Sequence, residues 1–163
     1  MQDKLSVISQ VISEHTVLRR NLKLAGDTVS DEETLMELAE KVQVWPTEKR
    51  NELNDRQQEL IRTLATVAAG LKNHFTFEEE KLPVIIGDIM VRALKVEHRE
   101  LDLKVNAVLT SVSGIKFDEL AGAEISVALA QVKRTVNDLS KAVERHAERE
   151  MVLIQMAQKA LRG

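Results

Sequence analysis

Residues 74–83 read HFTFEEEKLP and combine a histidine, three glutamates and a proline. Within a helix, His74 and Glu78 are four residues apart and therefore project from the same face, one above the other. Two side chains in that arrangement can bind one metal centre from a single helix. Pro83 prevents a simple continuation beyond Leu82. The stretch therefore predicts the end of a helix that carries a pair of metal ligands.

The same pair of residue types recurs near the carboxyl terminus, where His146 and Glu150 stand at the same spacing. The two remaining histidines, His15 and His98, each follow a glutamate directly. The order along the chain is thus single His, His-x-x-x-Glu, single His, His-x-x-x-Glu. Four helices that line one pocket for two metal ions would supply ligands in this order.

Apolar residues at alternating three- and four-residue steps predict four amphipathic helices around these histidines. In each helix the histidine falls on the apolar face, and in two helices a glutamate does so as well. The apolar positions are Ile8, Val11, Leu18 and Leu22 in the first helix, Leu60, Leu64, Val67 and Leu71 in the second, Val91, Leu94, Leu101, Val105, Val108 and Val112 in the third, and Ile125, Leu129, Val132, Val136, Leu139, Val143 and Leu153 in the fourth. We therefore predict an all-α fold, an antiparallel up-and-down four-helix bundle with polar residues in its core.

Burial of two glutamates is the strongest argument for metal binding. A single histidine on an apolar face is usually a hydrogen-bonded core residue. Burying an ionised carboxylate, however, costs several kcal/mol unless a cation or hydrogen bonds compensate. The sequence therefore favours shared metal ions over a purely structural role. The six predicted metal ligands are His15, His74, Glu78, His98, His146 and Glu150.

Composition excludes several classes of function. The 163 residues suit one domain, which we assign to residues 1–163. The chain has no cysteine, which excludes disulfide, thiolate and iron–sulfur chemistry. A net charge of -3 without a basic stripe argues against nucleic-acid binding. No apolar run reaches membrane-spanning length, and the first residues lack signal-peptide features, so we expect a cytoplasmic protein.

Breaker and capping residues predict where the four long helices begin and end. The predicted bounds are residues 4–24, 47–82, 88–113 and 119–161. The Gly26-Asp27 pair is expected to stop the first helix, Asp88 to cap the third, and Ser113-Gly114 to close it. Between the second and third helices, residues 84–87 are expected to form a compact apolar turn.

The segment between the first and second helices, residues 26–47, predicts a short extra helix. Residues 30–33 have the Ser-x-x-Glu form of a capping box, and apolar residues follow at helical spacing until Trp45-Pro46. On one side of the histidines, the second and fourth helices have more residues than the first and third. They should therefore extend beyond the other two helices at that end of the bundle. We expect residues 31–45 to cover the overhanging apolar faces, with a second subunit, giving a homodimer, as the alternative.

Together these phrases resemble the hemerythrin-like family, also described as the hemerythrin or HHE cation-binding domain. The resemblance spans nearly the whole chain. It rests on Glu14-His15-x-x-Leu18-Arg19, His74-Phe75-x-x-Glu78-Glu79-x-x-Leu82-Pro83, Glu97-His98-x-x-Leu101 and His146-x-x-x-Glu150. It implies a cofactor of two iron ions with an oxo or hydroxo bridge. By resemblance, the four histidines would be terminal ligands, and Glu78 and Glu150 would join the irons.

The chain departs from the oxygen-carrying hemerythrins in two places. Those proteins have a second histidine one turn before the Glu-His phrase, where this chain has Leu94, and they end with His-x-x-x-x-Asp instead of His146-x-x-x-Glu150. With four protein ligands each, both irons would keep open coordination positions. The His-x-x-x-Glu version is similar to the branch that contains iron-centre repair proteins, peroxide-decomposing proteins and iron- or oxygen-sensing domains.

The expected function is binding or reduction of a small oxidant (O2, hydrogen peroxide or NO), which includes a catalase- or peroxidase-like activity. Without cysteine or tyrosine, no protein thiol or tyrosyl group can relay electrons. One alternative is an iron-binding sensor or iron-centre repair protein without oxidant turnover. Another is a structural site for manganese or zinc, which these donor atoms do not exclude. A ferritin-like site is disfavoured, because such sites use Glu-x-x-His and more glutamates than histidines.

Five further acidic residues lie next to the predicted ligands or close to them: Glu14, Glu79, Glu80, Glu97 and Glu148. Carboxylates in such places can orient metal-binding side chains from behind. Acidic residues on helices more often form a solvated face, and we expect a solvated face for all five.

Overall fold

The fold consists of α-helices, in a computed structural model that describes the backbone of residues 3–39 and 47–163 and the side chains of residues 3–27 and 50–163. The helices are α1 (Lys4–Ala39), α2 (Thr47–Lys81), α3 (Pro83–Ile86), α4 (Asp88–Ser113) and α5 (Gly122–Arg162), with a 3-10 turn at Phe117–Glu119. These described ranges contain no strand, which confirms the predicted all-α class. None of the helices described is both long and apolar enough to cross a membrane.

The four long helices close into a bundle in which each packs against two neighbours. α1 and α4 each lie against both α2 and α5. Because the connections along the chain are short, neighbouring helices run antiparallel, as in an up-and-down bundle. The predicted architecture is therefore confirmed.

Two apolar clusters fill the bundle, one on each side of a layer of polar residues. On α1, Val11 belongs to one cluster and Leu18 to the other, with His15 between them. On α5, Val143 and Ile154 lie on the two sides in the same way. Apolar packing therefore encloses the polar layer along the bundle axis.

The apolar face of α5 differs by one position from the prediction. Ile154 is fully buried, whereas Leu153 is only partly buried. Ile154 lies four residues after Glu150 and therefore projects from the same helix face. The core face continues from this carboxylate in a four-residue step.

The first helix is longer than predicted, because the Gly26-Asp27 pair does not stop it. α1 continues to Ala39, so the described part of the predicted extra helix is a continuation of α1. Ala25 is fully buried and extends the core face, and such packing outweighs the weak helix propensity of glycine. The side chains of residues 28–49, Trp45 among them, lie outside the described residues, so the covering role of this segment stays a prediction.

The longer α1 also changes the expected overhang. α1 and α2 extend together beyond the polar layer, whereas α4 ends at Ser113 and leaves α5 to overhang. At this end, Ile125 and Leu129 of α5 pack against Leu53 and Phe117. The prediction that the second helix overhangs the first is therefore wrong, and Phe117 belongs to a cover that the sequence pattern did not reveal.

Polar side chains near the start of α2 hold the connection between α4 and α5. The buried side-chain amide of Gln57 donates to the main-chain carbonyls of Val112 and Ile115, each at 2.7 Å. Arg50 donates to two carbonyls in and just after the 3-10 turn, at 2.6 and 2.8 Å. These bonds supply side-chain donors to carbonyls at and after the end of α4, where the regular helical hydrogen bonds stop.

The link between α2 and α4 is the one-turn helix α3, followed by Gly87. This glycine has φ of 84° and ψ of 159°, a conformation almost confined to glycine. It also occupies the N-cap position of α4, so Asp88 is the first helical residue and not the predicted cap. Ser113 and Gly114 end α4 as predicted.

Gly26→Ala should stabilise the protein, because Gly26 lies inside α1 and an added Cβ would meet no described atom within 4 Å. Alanine at such a position reduces the entropy lost on folding, which contributes about 0.5 to 1 kcal/mol. The control Gly87→Ala should destabilise by about 1 to 3 kcal/mol, because φ is positive there. Thermal unfolding of both variants beside the parent checks these shifts, and a lower melting temperature for Gly26→Ala would contradict a continuous α1.

Candidate metal centre

All six predicted metal ligands meet in the polar layer between the two apolar clusters. His15 comes from α1, His74 and Glu78 from α2, His98 from α4, and His146 and Glu150 from α5. Every one of these side chains is buried, and both glutamates are 0% exposed. The structure thus brings together the complete set of residues that the sequence selected.

The six residues form two groups that share both glutamates. One group contains the His15/His74 pair with Glu78 and Glu150, and the other contains the His98/His146 pair with the same two glutamates. Within each group, one donor atom from every residue lies within 4.8 Å of the others. Each group is therefore small enough for one metal ion to contact all four of its residues.

Each carboxylate directs one oxygen to each group. Glu150 places Oε1 at 3.1 Å from Nε2 of His15 and Oε2 at 3.1 Å from Nε2 of His146. Glu78 places Oε1 towards the His15/His74 pair and Oε2 at 3.2 Å from Nε2 of His98. A carboxylate that faces two sites in this way can join two metal ions.

The donor atoms at the centre have no hydrogen-bond partner among the described residues. This holds for Nε2 of all four histidines and for all four oxygens of Glu78 and Glu150. The nitrogens and oxygens nevertheless approach one another closely, at 3.1 to 3.2 Å in three pairs. Buried polar atoms are almost always paired. A cluster of unpaired nitrogens and oxygens that converge on one place therefore fits a cation bound between them.

The electrostatics of the centre favour positive charge. Burial alone would lower the pKa of His15, but the facing carboxylates of Glu150 and Glu78 outweigh it and raise the pKa to about 9. Against burial, Glu78 and Glu14 raise the pKa of His74, and Glu150 and Glu97 raise the pKa of His146. Burial would raise the pKa of Glu78, yet its contacts with Glu150 and the imidazoles hold it well below the usual value. The centre therefore attracts cations, whether protons or metal ions.

Three acidic residues orient the histidines from outside, which corrects the expectation of a solvated face. Nδ1 of His74 lies 2.6 Å from Glu14, Nδ1 of His98 lies 2.9 Å from Glu79, and Nδ1 of His146 lies 2.6 Å from Glu97. An imidazole that donates through Nδ1 turns Nε2 towards the centre, which is the usual arrangement around a metal-binding histidine.

The signal for these contacts was present in the sequence. Residues that are adjacent in a helix point about 100° apart, so a glutamate next to a core histidine or glutamate faces the neighbouring helix rather than open solvent. Glu80 and Glu148, in contrast, are exposed as expected, and Glu80 pairs with Lys81.

Phe75 and Leu94 shape the apolar walls of the centre. The ring of Phe75 stacks on His98 with centroids 3.9 Å apart and an angle of 8° between the planes. Leu94 is buried in the apolar cluster beyond the polar layer and offers no donor atom. The set of donor residues at the centre therefore stays at four imidazoles and two carboxylates.

Two surface grooves reach the outer side of the His98/His146 pair. A groove of about 410 Å³ between α2 and α4 is lined by His98, Glu79 and Phe75 among others. A groove of about 470 Å³ between α4 and α5 is lined by His146, Glu97 and Arg149 among others. The orienting carboxylates are thus in contact with solvent while the central atoms are not.

Comparison with known proteins agrees with this geometry. The family model described as the hemerythrin HHE cation-binding domain matches residues 6–157. The chain belongs to the hemerythrin HHE cation-binding family. No curated protein and no solved structure gave a significant match. In this hemerythrin-domain protein, the cluster of four histidines and two glutamates could hold the cation for which the family is described.

Glu97→Ala should weaken cation binding by about 10- to 100-fold, because His146 would lose the carboxylate that orients its ring. The control is Glu148→Ala, which removes an exposed carboxylate from α5 and should leave affinity unchanged. Competition between the protein and a chelator of known affinity for Zn²⁺ measures both effects. Equal affinity of the parent and Glu97→Ala would show that this contact does not support the centre.

Proposed function

We propose that this hemerythrin-domain protein is a non-haem di-iron protein that binds or reduces a small oxidant, namely O2, hydrogen peroxide or NO. The observation that carries the proposal is the pair of overlapping residue groups, which share two fully buried glutamates. Glu78 and Glu150 would join two irons, and His15, His74, His98 and His146 would be their terminal ligands.

The choice of iron rests on donor chemistry and on the family. The centre offers imidazole nitrogens and carboxylate oxygens and no sulfur, a set that suits iron but also manganese and zinc. The resemblance to di-iron hemerythrins favours iron among these. We therefore assign two irons, with manganese and zinc as the competing occupants.

Open coordination positions support a reaction partner at the metals. Each group supplies two imidazoles and two shared carboxylates. An octahedral metal with four such ligands keeps room for an exogenous molecule. Since both groups have the same composition, a small molecule could bind to both metals. An oxygen carrier in which one iron is saturated would offer only the other iron for binding.

The space beside the centre favours a very small substrate. A cavity of about 10 Å³ adjoins three of the four histidines, His15, His74 and His146, and is otherwise lined mainly by apolar side chains. That volume is about the lower limit for a single water molecule. A diatomic gas or peroxide therefore fits the site better than an organic substrate does.

The protein part of the reaction is binding, orientation and exclusion of water. When bound, two ferrous ions supply the two electrons that reduce hydrogen peroxide, with two protons, to two water molecules. Glu14, Glu79 and Glu97 hold the histidine rings in place. Because these three carboxylates are partly exposed, protons can reach the ligand layer from solvent through them. The sequence contains no cysteine or tyrosine that could take part as a redox group.

The experiment starts with anaerobic loading by ferrous iron, followed by separate addition of hydrogen peroxide, O2 and NO. We expect a spectral change with at least one oxidant and, for peroxide, oxidation of two irons per molecule reduced. Glu78→Ala should lose iron and this response, because one shared carboxylate is gone. Glu80→Ala, an exposed glutamate from the same stretch, should behave like the parent.

An iron-loaded protein that reacts with none of the three molecules would contradict the oxidant chemistry. It would instead support an iron-binding sensor or an iron-centre repair protein without turnover. Retention of manganese or zinc in preference to iron would contradict the assignment of the metal.

A further inference from the structure

The polar layer has an internal repeat that is broken at one position. The first half of the chain contributes a Glu-His pair, Glu14-His15, and then His74-x-x-x-Glu78-Glu79. The second half contributes Glu97-His98 and then His146-x-x-x-Glu150-Met151. Met151 therefore stands where the first half has Glu79.

The contacts follow the same repeat. Glu14 contacts Nδ1 of the histidine on the next long helix, His74, and Glu97 contacts Nδ1 of His146 in the equivalent way. Glu79 contacts Nδ1 of His98. By the repeat, the residue at the position of Met151 should serve His15, and α5 does pack against α1.

His15 lacks this support. Its Nδ1 is buried and has no hydrogen-bond partner among the described residues, whereas Nδ1 of the other three histidines has a carboxylate. The side chain of Met151 is partly buried and has no oxygen that could accept a hydrogen bond. His15 is thus the one imidazole of the centre whose Nδ1 has no carboxylate partner in the described structure.

We propose that the two metal positions are unequal, and that Met151 is the residue that makes them so. The first metal ion binds to the His98/His146 pair, and the second binds more weakly to the His15/His74 pair. Both histidines of the first pair are oriented by carboxylates, whereas only one histidine of the second pair is. The inference rests on the proposed two-metal centre but not on the identity of the metal or on any reaction.

The size of the effect follows from the general behaviour of such contacts. Loss of a group that orients a metal-binding histidine usually lowers affinity by about 10- to 100-fold. Two metals that share carboxylates also repel each other, so stepwise binding alone does not prove inequality. The order in which the histidines bind metal does show whether the two positions are unequal.

The direct test adds one equivalent of Zn²⁺ to the metal-free protein and records the ring signals of the four histidines by ¹⁵N NMR. We expect the rings of His98 and His146 to show bound zinc, while His15 and His74 change only after the second equivalent. Equal occupation of the two pairs, or first occupation of the His15/His74 pair, would overturn the inference.

Two variants identify the cause. Met151→Glu should supply the missing partner of His15, tighten the second zinc about 10-fold or more, and make the first equivalent distribute between the pairs. Met151→Leu, which keeps an apolar side chain, should behave like the parent. If Met151→Glu folds and binds two zinc ions with unchanged affinities, Met151 does not set the inequality.

Glu79→Met is the mirror variant, because it removes the partner of His98. It should weaken the first zinc by a similar factor and leave the second nearly unchanged. A protein that binds zinc in the expected order but fails to react with oxidants would contradict the proposed function and leave this inference standing. A protein that binds no metal in this layer would overturn both.

Discussion

Two carboxylates lie buried in the middle of an apolar core, and the residues packed around them must compensate for that burial. Glu78 and Glu150 have no exposure to solvent, and within the described part of the chain none of their oxygens has a hydrogen-bond partner. Left uncompensated, such groups would destabilise the fold. The four imidazoles that face them supply donors for a cation, and protons on His15 can hold part of that charge when metal is absent. The same six side chains could therefore hold a cation and offset the cost of burying the carboxylates.

The bundle excludes solvent from the central atoms of this layer, while the carboxylates behind the histidines remain partly exposed. Apolar clusters lie on both sides of the layer along the bundle axis. Around the layer, three glutamates reach the histidine rings from positions that are partly open to solvent. At the far end, Gln57 and Arg50 fix the connection that carries Phe117 over the apolar end of α5. These hydrogen bonds tie α2 to the connection between α4 and α5 at that end of the bundle.

The sequence predicts the bundle and the central residues well, because both are expressed in spacing. Helical periodicity places each histidine on a core face, and the four-residue step puts Glu78 and Glu150 beside their histidines. Where side chains act across helices, spacing within one helix is not enough. The sequence predicts a solvated face for Glu14 and Glu97, yet each faces the adjacent helix. Gly26 does not end α1 because the buried Ala25 extends the apolar face, and tertiary packing outweighs local helix propensity there.

In the proposed centre, two metal ions lie in this layer and share both glutamates. X-ray diffraction at the iron absorption edge, from crystals grown after anaerobic loading with ferrous iron, tests it most directly. We expect two anomalous peaks between the His15/His74 and His98/His146 pairs, about 3.5 to 4 Å apart as in other two-metal sites, with Glu78 and Glu150 spanning both. A single peak in this layer, or peaks elsewhere in the bundle, would contradict it.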